Sequence, residues 1–174
     1  SEVKKIVASD RAVGDQFGSS VSISGNYAIV GAEGEDEDVN GQNNKRFAGS
    51  AYLFERNTTT GTWSEVQKIV ASDRDYNDYF GSAVSVSGNY AIVGAPFKDE
   101  DANRQNTKKY AGAAYLFVRN ATTGTWSEVQ KIVASDLASD DKFGQSVSIS
   151  GNYAIVGAYG EDHDVNGQNF RNTA

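Results

Sequence analysis

At 174 residues, with 39% hydrophobic residues and a formal net charge of −7, the chain is long enough for a substantial interior and suits thin sheets with many solvated loops. The absence of cysteine excludes disulfides and thiolate metal sites, and the acidic balance without a basic cluster argues against nucleic acid as a partner. No apolar run approaches the length of a membrane span, and the chain opens on a repeat strand without a signal sequence, as a mature protein or a piece of one would.

One unit is written nearly three times at a spacing of 63 residues, headed by Phe17-Gly18, Phe80-Gly81 and Phe143-Gly144. The block GNYAIVGA stands unchanged at Gly25 to Ala32, Gly88 to Ala95 and Gly151 to Ala158. SEVQKIVASD runs from Ser64 to Asp73 and from Ser127 to Asp136, and with one change it opens the chain at Ser1. Such units cannot bury an apolar face alone and must stack on their neighbours. The spacing divides the chain into a lone fourth strand over 1–10, units over 11–73 and 74–136, and a partial unit over 137–174.

Within the first unit, Val21 and Ile23 alternate with serines, which predicts a strand with one buried face. Ser24-Gly25-Asn26 is a tight hairpin, and the continuously apolar run Tyr27 to Val30 predicts a second strand buried on both faces. A long acidic connection of about 17 residues leads to the third strand, Ala51-Tyr52-Leu53-Phe54. The polar turn Asn57 to Thr62 then leads to a fourth strand over Glu65 to Val70, whose Gln67 and Lys68 place it nearer solvent. No window carries helical periodicity of useful length. Four antiparallel strands, inner to outer, make a propeller blade, so the fold class is an all-β array of four-stranded blades. Eleven strands make fewer than three blades, too few to close a ring. Two explanations follow: a fragment of a larger propeller, which is favoured, or assembly with other copies through exposed sheet edges.

The order Phe-Gly, alternating strand, second strand ending in Gly94-Ala95-Pro96, then Ala-Tyr-Leu-Phe resembles the FG-GAP repeat of integrin α-chain propellers and of many tandem-repeat surface proteins. The match is full in the second copy; the others read Gly31-Ala32-Glu33 and Gly157-Ala158-Tyr159. The resemblance implies a β-propeller, an extracellular or cell-surface setting, and a role in adhesion or ligand binding. In the integrin pattern a calcium loop sits between Phe-Gly and Gly-Ala-Pro, but that hairpin here is only Ser-Gly-Asn, too short to wrap a metal.

A comparable pattern occurs one loop later. Asp36, Asp38, Asn40 and Gly41 form D-x-D-x-N-G, Asp162, Asp164, Asn166 and Gly167 repeat it, and the second copy gives Asp99, Asp101 and Asn103 with Arg104 at the glycine place. Alternating oxygen ligands before a turn glycine suit a hard, flexibly coordinated cation, and calcium is the expected one, with Gln42, Gln105 and Gln168 offering carbonyls at the seventh position and Asn44 at the ninth. The competing reading is a solvated turn whose Asp and Asn bind their own backbone.

These loops also hold the greatest difference between copies, NGQNNKRF against NRQNTKKY, so a protein or glycan ligand is expected there. The pairs Lys45-Arg46 and Lys108-Lys109 read as counter-charges to the acidic stretch. Phe17, Phe80 and Phe143 are expected between blades, Trp63 and Trp126 in the blade-edge core with sugar stacking as the alternative, and Asp15, Asp78 and Asp141 as loop hydrogen-bond acceptors. Asn57 and Asn120 open N-glycosylation sequons on equivalent hairpins, usable in a eukaryotic secreted protein. The lone histidine, His163, is replaced by Glu37 and Glu100 in the other copies, so no catalytic triad exists and an enzyme is not expected. The alternatives kept open are a self-assembling subunit, a lectin, or the non-catalytic part of a carbohydrate-active or phospholipid-cleaving enzyme.

Overall fold

The computed structural model describes residues 4–99 and 107–162, and all ten elements among them are β-strands. The first blade contains β1 (Phe17–Ser24), β2 (Tyr27–Ala32), β3 (Ser50–Arg56) and β4 (Trp63–Ile69). The second contains β5 (Ala83–Ser87), β6 (Tyr90–Ala95), β7 (Ala113–Arg119) and β8 (Trp126–Ile132). The third contributes β9 (Phe143–Ser150) and β10 (Tyr153–Ala158). Each sheet is antiparallel with its strands in chain order, so local hairpins build every blade.

The alternation of apolar residues fixes the register. Val21 and Ile23 face Val30 and Ala28 across the first hairpin, while Ile29 faces Leu53 on the opposite side of the sheet. β2 and β6 are buried along almost their whole length, as their unbroken apolar runs allow, whereas the equivalent β10 is exposed or half-buried throughout. Ile29, Ala51 and Leu53 of the first blade share one interior with Phe80, Val84, Val86, Val93 and Tyr115 of the second. Trp126 joins that interior edge-on to Tyr27, at 5.9 Å between ring centroids. Phe80 and Phe143 pack in such layers, whereas Phe17 packs on Tyr52 and Phe54 of its own blade and on the lead-in.

Polar stitches complete the stacking. The amides of Val86 and Gly88 on β5 and its hairpin donate to Ser22 and Ser24 Oγ, at 3.2 and 3.3 Å. Ile149 and Gly151 repeat this with Ser85 and Ser87, at 3.1 and 3.0 Å. The serines that alternate with Val and Ile therefore satisfy main-chain donors of the next blade. Close approach also explains the glycine of YAIVGA: a Cβ on Gly31 or Gly94 would lie 2.0 Å from the carbonyl oxygen of Gly81 or Gly144.

Two sequence expectations are corrected. Residues 4–9 form no strand among the described residues, because a fourth strand needs a third beside it and none precedes them; Ile6 and Ala8 instead pack on Val30, Tyr52, Phe54 and Trp63. Lys68, expected near solvent, is buried, and its Nζ donates to Asp10 at 2.8 Å and lies 3.4 Å from Glu35. The Tyr52 hydroxyl lies within hydrogen-bond distance of the same two carboxylates, 2.8 Å from Asp10 and 2.9 Å from Glu35, and its one proton serves either. In the second blade Tyr115 and Lys131 converge on Asp73, and the equivalent of Glu35 is Lys98, which donates to the Asp73 carbonyl at 2.7 Å and to Asp78 at 3.0 Å.

Candidate functional site

The long acidic connection of the first unit folds back on itself. Asp36 Oδ1 accepts from the Phe47 amide at 2.7 Å, closing the loop across eleven positions, and Asp99 does the same for Tyr110 at 2.8 Å. Asp38 accepts from the amides of Asn40 and Gln42 and from the Asn43 side chain, and these bonds, led by that of Asn43, hold its carboxyl below the usual range. The loop is thus an Asx-type turn with its carboxylates turned inward on main-chain donors.

A cation does reach this loop, and it is an arginine. Arg74, from the lead-in to the second blade, donates to the carbonyls of Asn43 and Asp36, each at 2.7 Å. Burial lowers its pKa, while the charges of Asp38, Glu35 and Asp36 oppose that shift. Lys45 pairs with Asp75 and the Arg74 carbonyl of the next unit, not with the acidic stretch of its own loop. Arg46 and Lys109 lie over the neighbouring rings of Phe47 and Tyr110, at 4.5 and 4.6 Å from the centroids. These cations brace one unit against the next or cover aromatic faces.

In the first loop all three hydrogen bonds on Asp38 come from its own turn, so an ion there would share the carboxylate oxygens with those donors. Gln42 is held to the same turn, its carbonyl accepting from the Asp38 amide at 2.9 Å. Among the described residues, no three His, Cys, Asp or Glu side chains group where an ion could be held. Asp101, Asn103, Gln105, Asp164, Asn166 and Gln168 lie outside the described residues, as does His163.

Beside these loops the structure forms a cleft of about 470 Å³, bordered by Glu33, Asn77, Tyr79, Phe97, Tyr110 and Gln145. Tyr79 and Phe97 lie 5.1 Å apart at 57°, Phe97 and Tyr110 5.3 Å apart at 88°, and Phe47 stacks behind Tyr79 at 5.4 Å. All four rings are half-buried. The turns that present them are a property of the repeat: Gln16, Tyr79 and Lys142 share left-handed φ values of 57°, 54° and 56°. The aromatic side chains are not, for Tyr79 stands where the other copies have Gln16 and Lys142, and Phe97 where they have Gly34 and Gly160. That disagreement between copies was visible in the sequence, but it fell outside the stretch singled out there.

The remaining candidates have structural roles. Trp126 is buried and offers no free face for sugar stacking, and Trp63, half-buried, packs with Phe17, Phe54 and Tyr52. Asp15, Asp78 and Asp141 each accept from the amide three residues earlier, as loop acceptors do. Asn57 and Asn120 use Oδ1 to hold their exposed hairpins, accepting from Thr59 and Thr60 and from Thr122 and Thr123.

No curated protein matches the chain. The FG-GAP repeat model matches residues 1–54, 63–117 and 126–171, three tandem segments in the same 63-residue phase as the blades. With sheets, phase and matched segments in agreement over nearly its whole length, this chain belongs to the FG-GAP repeat family.

Proposed function

We propose that this chain is an extracellular, non-catalytic recognition module whose stacked blades hold a ligand site on the loop face. FG-GAP repeats form non-enzymatic modules typical of extracellular proteins, which supports the class and the setting. The observation that carries the site is the Tyr79–Phe97–Tyr110 cleft, built where the copies disagree on a scaffold whose strands otherwise repeat. A purely architectural array has no use for unlike loops, whereas a binding face does. The test is saturable binding of fluorescently labelled chain to intact cells, with and without Phe97→Gly. Saturable binding that the substitution weakens supports the reading; equal binding by both, or none by either, refutes it.

A second reading, self-association, has its own observation. Val21 and Ile23 are 70% and 66% exposed on the first blade, whereas their equivalents Val84 and Val86 are 7% and 4% exposed against it. At the other end Ile155 is 72% exposed, and its equivalents Ile29 and Ile92 are fully buried. The chain therefore presents both halves of its own blade–blade contact, and front-to-back docking of two copies would repeat the packing seen inside one. Light scattering across a concentration series tests this: mass should rise with concentration in the parent and stay monomeric in Val21→Asp/Ile23→Asp. A parent that stays monomeric throughout refutes it.

A further inference from the structure

We infer that the Tyr79–Phe97–Tyr110 cleft takes a neutral saccharide. This rests on the loop-face reading above and adds the chemistry of the ligand. Three half-buried rings set at steep angles to one another line the space with apolar surface for aliphatic C–H groups, and the second unit alone has aromatic residues at both 79 and 97.

The polar border completes the chemistry. Asn77, Gln145, Glu33, Tyr79 and Tyr110 border the space, and among the described residues their side-chain polar groups make no hydrogen bond within the blades. Ser82 donates to the Tyr79 carbonyl at 2.6 Å, which leaves its oxygen able to accept. Planar amides and carboxylates placed beside aromatic faces match adjacent hydroxyls, which both donate and accept. A long apolar ligand would leave these groups unpaired.

Charge decides between ligand classes. Among the described residues Glu33 is the one charged residue bordering the cleft, and two ammonium groups stand over its rings, Lys142 at 5.8 Å from the Phe97 centroid and Lys109 at 4.6 Å from the Tyr110 centroid. A sulfated or carboxylated ligand would meet Glu33, and a cationic one would meet Lys142. A small polyhydroxylated ligand without charge meets neither penalty. The volume, about 470 Å³, is that of an ordinary small-molecule site and limits the bound part to a few sugar rings at most.

The repeat supplies variants that the fold already tolerates. Tyr79→Gln and Phe97→Gly install the residues of the first unit, Gln16 and Gly34, and Asn77→Gly installs Gly14. The parent and these variants are to be screened on an array of neutral, sulfated and amino oligosaccharides, with calorimetric titration of the strongest neutral hit. A neutral glycan is expected to bind the parent, to lose at least about tenfold in affinity with Tyr79→Gln/Phe97→Gly at unchanged Tm, and to weaken with Asn77→Gly alone. Binding confined to charged glycans, no glycan binding, or equal affinity in all variants overturns the inference. Periodate treatment of the target cells separates the two claims: cell binding that survives it and still needs Phe97 leaves loop-face recognition standing and removes the saccharide.

Discussion

Replacing Lys98 by methionine keeps the stem and removes the charge from the most enclosed ion cluster in the molecule. The side chain is 1% exposed, and Nζ bonds the Asp73 carbonyl and the Asp78 carboxylate, itself buried. Asp73 keeps Lys131 and Tyr115 after the change, whereas Asp78 loses its cation. Stranding one buried charge costs about 3–5 kcal/mol, a large share of the roughly 5–15 kcal/mol that holds a domain together. At about 2–4 °C per kcal/mol for a chain of this size, Tm at pH 7 should fall by roughly 6–20 °C. The assay is thermal unfolding by circular dichroism at pH 7 and pH 5. Because protonating Asp78 removes the stranded charge, the deficit should shrink at pH 5. A Tm within about 3 °C of the parent at pH 7, or a deficit independent of pH, would refute the reasoning.

Other outcomes follow from the same contacts. Burial pushes the Asp78 carboxyl up to about 6 against the opposing charge of Lys98, so its contribution is full below the ordinary carboxyl value of 3.8 and is lost as pH rises through about 6. At 1.36 kcal/mol per unit the loss is about 3 kcal/mol, and Asp78→Asn should flatten that part of a denaturant-midpoint profile between pH 4 and 7. Asp73 behaves oppositely: burial raises it, but bonds from Lys131 and Tyr115 and the charge of Lys98 win, so stability from this group fades as pH drops below 3.8. Gly94→Ala, whose Cβ would meet the Gly144 carbonyl oxygen at 2.0 Å, should cost about 3 kcal/mol. Gly88→Ala, which meets open space but sits at φ 56°, should cost only about 1 kcal/mol in the same melts. Arg74→Ala frees two loop carbonyls and should raise amide exchange over residues 38–47, read by mass spectrometry, while β2 and β3 stay protected. Any calcium-induced change in Tm should be the same in the parent and in Asp38→Asn, since Asp38 is engaged by its own loop.

The strands were legible because burial in a sheet writes a period of two, or an unbroken apolar run, directly into residues such as Val84-Ser85-Val86 and Tyr27 to Val30. Partners beyond the hairpin were not. Lys68 looks like a solvent-facing lysine until Tyr52, Asp10 and Glu35 are brought around it by elements from three parts of the unit. The serines of β1 read as the wet side of a strand, yet two of them accept from the next blade; their exact recurrence at 22 and 24, 85 and 87, and 148 and 150 was the available signal. The spacing of the acidic loop fits a metal loop and a self-bonded turn alike, and it does not say which way a carboxylate turns; Asp36 and Asp38 each accept amides of their own loop. The cleft had to be seen in space, since Tyr79, Phe97 and Tyr110 are far apart along the chain.

The serine-to-amide contacts give every unit a polarity. One flank offers hydroxyl acceptors, Ser22 and Ser24 or Ser85 and Ser87, and the other offers the amides that seek them. A gene that copies one such unit in tandem copies plug and socket together, so a newly inserted unit mates with both old neighbours from its first translation. Growth by whole multiples of 63 codons therefore keeps every such contact, while an added part-unit that lacks one flank leaves a socket without its plug.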